Sequence, residues 1–315
     1  MFQILKAEKT IDFMRWSKFA FVFSLLMIGA SIFTLSTEWL NWGLDFTGGT
    51  LIEVGFEQPA NLEEIRSALE AKGFGDATVQ NFGSARDVMV RLRPREDMAG
   101  ETLGNQILSA IKEGTGKSVE MRRIEFVGPN VGDELTEAGG LAILVSLICI
   151  LIYVSMRFEW RLAAGAVMAL AHDVIITLGV FSLMQIEVDL TIVAALLTVV
   201  GYSLNDTIVV FDRIRENFRK MRKGEPAEIM NSSITQTLSR TLITSGTTLF
   251  VVIALFVQGG AMIHGFATAL LLGITVGTYS SIYVASALAL KLGIQKEHLM
   301  PPQVEKEGAE FEEMP

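Results

Sequence analysis

Six blocks of apolar residues, each long enough to cross a bilayer, constrain this chain more than any other feature. They span residues 19–35, 139–156, 162–184, 190–210, 241–257 and 263–290. A helix rises about 1.5 Å per residue, so about 20 apolar residues match a hydrocarbon core about 30 Å thick. Half of the 315 residues are hydrophobic, and they come in runs rather than in amphipathic periods. Lipid offers the backbone no hydrogen bonds, so runs of this kind fold as spanning helices. The expected fold class is a polytopic α-helical membrane protein with six transmembrane helices. The fifth block is short and rich in threonine at its start; the sixth is long enough to tilt or to extend past the bilayer.

Basic residues set the expected orientation. Lys6, Lys9, Arg15 and Lys18 precede the first block. Arg157 and Arg161 flank the second connection, and Arg213, Arg215, Arg219, Lys220, Arg222 and Lys223 follow the fourth block. The connections at 185–189 and 258–262 hold no Lys or Arg. The positive-inside rule then places both termini in the cytoplasm and residues 37–138 outside. The N-terminal block lacks a small-residue cleavage pattern and reads as an uncleaved anchor. The expected division is 1–36 (N-terminus and first span), 37–138 (a soluble domain), 139–294 (spans two to six) and 295–315 (an acidic tail). With Glu305, Glu307, Glu310, Glu312 and Glu313 and few apolar residues, that tail is expected to be disordered.

Residues 37–138 carry the alternation of a small α+β domain. Strands are expected at 51–56, 77–82, 88–92 and 119–127, with helices at 61–71 and 98–111. Asn61 is the expected cap of the first helix, Glu64 completes a capping box, and Gly73 ends it. Gly83-Ser84 marks a turn between the middle strands. The order βαββαβ is that of a ferredoxin-like domain. The domain has neither Cys nor His, so no metal or nucleophile constellation is expected in it. Gly114-Thr115-Gly116-Lys117-Ser118 looks like part of a phosphate loop, but Ile111 stands where the first glycine is required. The net charge of −9 argues against a nucleic-acid partner. The single cysteine, Cys149, lies in the second span and excludes a disulfide framework within the chain. No cofactor is expected.

The chemistry of the spans rests on a few ionisable groups. Asp206 lies about four residues from the end of the fourth block, within Gly201-Tyr202-Ser203-Leu204-Asn205-Asp206-Thr207. A carboxylate at membrane depth costs about 2.5–3.5 kcal/mol on insertion scales, so it faces a bundle interior or a water path. Two readings stand: a proton or ion carrier, or one half of a buried pair that locks helices. Arg240, at the start of the fifth block, is the expected partner. Arg240, Thr244 and Thr247 or Thr248 fall on one helix face. Arg240 snorkelling to the headgroups, with the hydroxyls bonded to their own helix, is the alternative. His172-Asp173, mid-span in the third block, is a second candidate relay, or a hydrogen bond to another helix. Tyr202, Ser203, Asn205, Thr207, Thr244 and Thr248 make a candidate supporting polar path. Gly265, Ala269, Gly273, Gly277 and Ser281 recur every fourth residue and predict close helix packing on the sixth span. His264 is expected at the interface, and the basic stretch 213–223 needs no role beyond topology, though anionic lipid is a candidate partner.

Several stretches together resemble the SecD/SecF family of bacterial protein translocase subunits, in the resistance–nodulation–division superfamily. They are Gly43-Leu44-Asp45-Phe46-Thr47-Gly48-Gly49-Thr50, Val127-Gly128-Pro129-Asn130-Val131-Gly132, Arg157-Phe158-Glu159-Trp160-Arg161, His172-Asp173, the run from Gly201 through Asp206 to Asn217, and Ser239-Arg240-Thr241. The resemblance covers nearly the whole chain, and the fourth-span run is its most specific part. It implies a non-enzymatic subunit of the Sec pathway in the bacterial inner membrane. Its partners would be a related six-span half, SecD, together with the SecYEG channel, YajC and the translocating polypeptide. It also implies that the proton-motive force drives late steps of export through Asp206 and Arg240. Two other classes stay open: a proton-driven exporter of small molecules or lipids from the same superfamily, and a scaffold subunit that transports nothing.

Overall fold

The computed structural model describes residues 10–94, 101–221 and 224–299. Lys6, Lys9, Arg222, Lys223, the expected helix start at Met98 and the acidic tail from residue 300 onward lie outside the described residues.

Along the chain, α1 (Ser17–Thr37) leads through β1 (Asn41–Trp42) and the short α2 (Leu44–Thr47) into a mixed region. That region comprises β2 (Gly49–Phe56), α3 (Leu62–Ala71), β3 (Thr78–Phe82), β4 (Ser84–Leu92), α4 (Glu101–Thr115) and β5 (Val119–Val127). Then come α5 (Pro129–Arg157), α6 (Trp160–Met184), β6 (Glu187–Val188), α7 (Leu190–Lys220), α8 (Pro226–Gln258) and α9 (Gly260–Ser280). A π-helical turn, Ser281–Ala285, joins α9 to α10 (Ser286–Lys291) as one continuous last span. Six helical stretches are long and apolar enough to cross a membrane.

The helices overrun the apolar blocks. Hydropathy marks the part immersed in lipid, whereas helical hydrogen bonding continues into water wherever the side chains permit. Asp206 therefore lies well inside α7, which runs on to Lys220, and Arg240 lies mid-way along α8. Pro226 at the first helical position and the Glu225/Glu228 capping box start α8 far ahead of its apolar block.

The mixed region is a four-stranded antiparallel sheet in the order β3-β4-β2-β5, the ferredoxin-like arrangement. Helices α3 and α4 cover one face. Ile52, Val54, Val88 and Val90 meet Ile65, Leu69, Leu103, Ile107 and Ile111 in a closed core. Asn61 caps α3 by accepting from the Glu63 N–H, and its own amide donates to Glu64 Oε1 at 3.0 Å. Asn61 thus caps through the second helical N–H and Glu64 takes the cap's side chain, so the expected capping box is replaced by a side-chain pair. Gly73, at φ +84°, ends the helix in the left-handed region. The phosphate-loop-like stretch has a packing explanation: a Cβ on Gly114 would stand 2.2 Å from Ala68 Cβ, where α4 crosses α3. Residues 296–299, at the start of the expected tail, form a 3-10 turn that buries Leu299.

A clasp joins this domain to the bundle. Strands β1 and β6 pair in parallel, Asn41 with Glu187 and Trp42 with Val188. Gly43 N–H donates to Val188 O at 2.7 Å, and Leu190 N–H donates to Asp45 Oδ2 at 2.9 Å. Arg91 of β4 donates to Trp42 O and Thr47 Oγ1 and pairs with Glu187 at 3.3 Å. A Cβ on Gly43 would meet Val188 O at 2.9 Å, so the strands approach this closely only because residue 43 has no side chain.

Within the bundle, α7 and α9 form the tightest seam. The small-residue ridge of α9 lies against α7: Cβ atoms built on Gly273 and Gly277 would stand 2.2 Å from Val199 and 2.9 Å from Ser203. A Cβ on Gly265 would meet only the tip of Ile192, at 3.2 Å. The outer surfaces of α1, α5 and α8 expose Phe19, Phe33, Leu144, Ile152 and Phe250, an apolar surface that only lipid or another helix tolerates.

Two predictions follow from this packing. Gly273→Ala should lower the thermal unfolding temperature of the detergent-solubilised chain markedly, by overpacking worth about 1–3 kcal/mol. Gly265→Ala should have little effect, and Gly201→Ala, with nothing within 4 Å of its Cβ, less still. The second concerns Glu187, whose carboxyl is pushed above its ordinary value of 4.5 by burial; Arg91 opposes this and Asp189 adds to it. The folded chain therefore binds this proton more tightly than the unfolded one. The stability it contributes is complete below about pH 4.5 and is lost as pH rises through the folded value. Thermal unfolding of Glu187→Gln should lose less stability between pH 4.5 and neutrality than the unchanged chain does.

Candidate functional site

The polar interior of the bundle holds two buried carboxylates, carried on α6 and α7. Each is reached by hydroxyls from neighbouring helices.

Asp173 on α6 is 1% exposed. Its Oδ2 accepts from Ser203 of α7 at 2.5 Å and from Ser280 of α9 at 2.8 Å. Its Oδ1 lies 2.9 Å from Nδ1 of His172, itself buried. Adjacent helical residues point about 100° apart, yet here the imidazole folds back onto its neighbour, so both side chains belong to one cluster. An ionised Asp173 requires His172 to donate from Nδ1, which leaves Nε2 as the second ring nitrogen to be satisfied. Nε2 is buried with no partner among the described residues. The ring stacks on Tyr279, centroids 6.3 Å apart, and Tyr279 donates to Ala20 O of α1. The cluster thus joins α1, α6, α7 and α9.

Asp206 on α7 is 2% exposed. It has a single hydrogen-bond partner among the described residues: Ser245 of α8 donates to Oδ2 at 3.2 Å. Behind Ser245, the Thr278 hydroxyl of α9 lies 2.8 Å away. Thr207 and Thr241 are also buried, and their hydroxyls have no partner among the described residues. Among the described residues, no ion pair joins Asp206 to Arg240. Arg240 is exposed on the outer side of α8.

Several expected path residues turn elsewhere. Tyr202 donates to Thr248 at 3.2 Å, bridging α7 and α8. Ser203 serves Asp173 rather than Asp206. Asn205 is exposed on the outer face of α7. Thr244 and Thr247 are exposed and donate to carbonyls of their own helix. The inward face of α8 is instead Thr241 and Ser245, one helical turn apart. Ser280, Thr278 and Tyr279, which complete both clusters, were not singled out from the sequence, although Thr278-Tyr279-Ser280-Ser281 is a polar run inside an apolar span.

The family description "Protein export membrane protein SecD/SecF, C-terminal" matches residues 107–295, and "SecD/SecF GG Motif" matches residues 33–60. The chain belongs to the SecD/SecF family. It is 91% identical to the protein translocase subunit SecF of Vibrio alginolyticus, over the full length of both chains. It is 56% identical to that of Escherichia coli O157:H7, over 98% of this chain and 96% of that protein. A crystal structure of SecDF, a translocon-associated membrane protein from Thermus thermophilus, superposes with a TM-score of 0.83 at 38% identity. That match covers 92% of this chain, which spans 39% of the SecDF chain. The protein is therefore a non-enzymatic, multi-pass subunit of the protein-export machinery, with the SecDF-like fold.

The SecD/SecF stretches outside the carboxylate clusters fasten elements together. Gly43–Gly49 builds the clasp. Gly128 and Pro129 start α5, and Gly132 packs beside Gly48 N and Phe46 O. At the far end, Arg157 Nη2 lies 2.6 and 2.7 Å from the two Asp212 oxygens, which ties α5 to α7; Arg215 donates to Asp212 within α7 at 3.0 Å and to Arg157 O of α5 at 3.3 Å. Glu159 caps α6, and Arg161 donates to Leu292 O. His264 is exposed and packs on Phe256, centroids 4.0 Å apart.

The contrast between the two clusters is testable. Asp173→Ala strands the Ser203 hydroxyl and His172 Nδ1, at about 1–3 kcal/mol for each buried group left unpaired, while the Ser280 hydroxyl keeps Gly277 O. Asp206→Ala strands only the Ser245 hydroxyl, which retains Thr278. Thermal unfolding in detergent should drop substantially further for the first variant than for the second.

Proposed function

We propose that this chain couples the proton-motive force to late steps of polypeptide export, with Asp206 as the group that alternates between protonated and charged forms. The observation that carries this reading is the placement of Asp206: buried in the bundle and held by one neutral hydroxyl, with no ion pair to a cation among the described residues. A carboxylate so placed is costly when ionised and comfortable when protonated. Ionisation calls for a counter-charge, and Arg240 is carried on α8, the helix that supplies Ser245. In this reading the charged acid draws Arg240 inward and the protonated acid releases it, so that α7 and α8 repack. A proton crossing 100 mV delivers about 2.3 kcal/mol, which shifts a two-state element by more than tenfold. Asp173 and His172 form a second polar point on the same path.

The orientation that accompanies this reading places the termini and the Arg157–Asp212 end in the cytoplasm, and the α/β domain on the outer side of the inner membrane. The partners are a SecD half, the SecYEG channel, YajC and the translocating polypeptide. Export of a small apolar molecule is less well supported. A cavity of about 890 Å³ between the domain and the bundle has a mixed lining, charged at Asp45, Glu53, Arg123 and Glu187 and apolar at Leu44, Phe82, Ile186 and Phe256, and is not the predominantly apolar pocket that such export calls for.

The test is Asp206→Asn, which keeps the shape and removes titration. In membrane vesicles containing the whole export complex, this variant should accumulate normally and lose the gradient-dependent part of polypeptide export. Export at the full gradient-dependent rate would exclude the relay. A variant that fails only in abundance would favour the scaffold reading.

A further inference from the structure

The helix that carries Asp206 begins at the clasp. The first-turn N–H groups of a helix have no intrahelical acceptors. In α7, two carboxylates take them. Asp189, in the preceding connection, accepts from Ile192 N–H at 2.9 Å. Asp45 accepts from Leu190 N–H at 2.9 Å, and it comes from α2, at the root of the α/β domain. The α2 turn reaches three bodies at once. Leu44 packs with Leu51 and Met89 on the open face of the sheet. Arg91 of β4 grips Thr47, and Phe46 lies against Gly139 of α5. Gly43, with no room for a side chain, brings the segment against Val188.

We infer that Asp45 is a coupling residue, whose carboxylate fastens the α/β domain to the first turn of α7, so that displacement of the helix carrying Asp206 reaches the domain through α2. The inference rests on the proposed role of Asp206 for what drives the displacement; the joint itself rests on the geometry above. Spans one and two tether the domain covalently, but neither carries an ionisable group of the relay. α7 does, and its domain end is held by a charge-assisted bond that favours the positive end of the helix. The joint is a bond between two rigid elements rather than a loop, so it transmits both translation and tilt.

The experiment uses membrane vesicles containing the chain with its partner subunits, and two readouts: proton uptake driven by the gradient, and gradient-dependent export of a polypeptide. Asp45→Ala should leave proton uptake intact and lower gradient-dependent export, because the bond from Leu190 N–H to the domain is lost. Asp45→Asn should restore most of the export, because its amide oxygen still accepts from Leu190 N–H. Export by Asp45→Ala at the unchanged rate would overturn the inference, as would equal loss of proton uptake in both variants. Asp206→Asn separates the two claims: gradient-driven export in that variant removes the relay and leaves the joint to be judged by the export of the Asp45 variants.

If Asp45→Ala fails to accumulate, a cross-link decides. Asn41→Cys and Glu187→Cys are register partners across the β1–β6 pair, and a Cys149→Ser background removes the native thiol. A joint that moves as one body keeps its gradient-dependent export when this pair is oxidised. Export that stops on oxidation and returns on reduction would show that the clasp must open, and would overturn the inference.

Discussion

Burying a carboxylate among apolar helices is the constraint on which the rest of this structure depends. The charge, or the proton that replaces it, needs donors that no lipid and no aliphatic side chain supplies. Here they are serine hydroxyls and the His172 ring, and a hydroxyl on a short side chain reaches a neighbouring helix only if the two backbones lie close. The seam between α7 and α9 provides that approach. Gly273 and Gly277 leave no room for a Cβ against Val199 and Ser203, and the same proximity sets Ser280 on Asp173 and Thr278 behind Ser245. The glycine ridge and the polar clusters are thus one design: small residues close the helices, and closed helices satisfy the acids.

That design treats the two acids differently. Asp173 receives two hydroxyls and an imidazole, drawn from three helices, and is held in one arrangement. Asp206 receives one hydroxyl at a longer distance, with buried Thr207 and Thr241 hydroxyls left over on α7 and α8. A fully bonded carboxylate resists change, because every alternative strands several partners at once. A sparsely bonded one has alternatives. The spare hydroxyls and the exposed Arg240 on α8 offer Asp206 other partners after a modest movement, whereas Asp173 has no better arrangement to move to. The first acid pins the bundle, and the second is the less tightly held, as the proposed relay requires.

The sequence disclosed the number of spans, the βαββαβ order and the ridge on the last span, because each is written in a period: long apolar runs, alternation of two, small residues every fourth position. It disclosed the acids themselves, because a charge in an apolar run stands out against its surroundings. It did not disclose which neighbours serve them. Ser203 lies near Asp206 in sequence yet bonds Asp173 thirty residues away, since a helix turns its side chains by about 100° per residue. The polar stripe expected on α8 ran through Arg240, Thr244 and Thr247; the inward face is Thr241 and Ser245, a displacement of one residue that a threonine-rich run conceals. Helix ends were hidden for a different reason. Hydropathy reports lipid contact, and α7 and α8 continue past it on caps and salt bridges that carry no hydropathic signal.

The lengths of those helices matter to what the protein can do. α7 is fastened at one end by Asp45 and Asp189 and, beyond the apolar block, by Asp212 to Arg157 of α5. Both fastenings are charge-assisted and both lead to elements that adjoin the α/β domain, α2 and α5. Between them, the helix is gripped by α9 along its glycine seam, by α6 through Ser203–Asp173, and by α8 through Tyr202–Thr248 and Ser245–Asp206; beyond Asp212, Asn217 donates to Ser233 and Gln236 of α8. Toward α8 the middle of the rod is crossed by two hydrogen bonds of 3.2 Å each, longer than the 2.5 Å bond toward α6. Asp206 sits on that side. In the proposed mechanism the change of one proton acts at one of these longer contacts, and the ends of the rod are attached to the elements that would move.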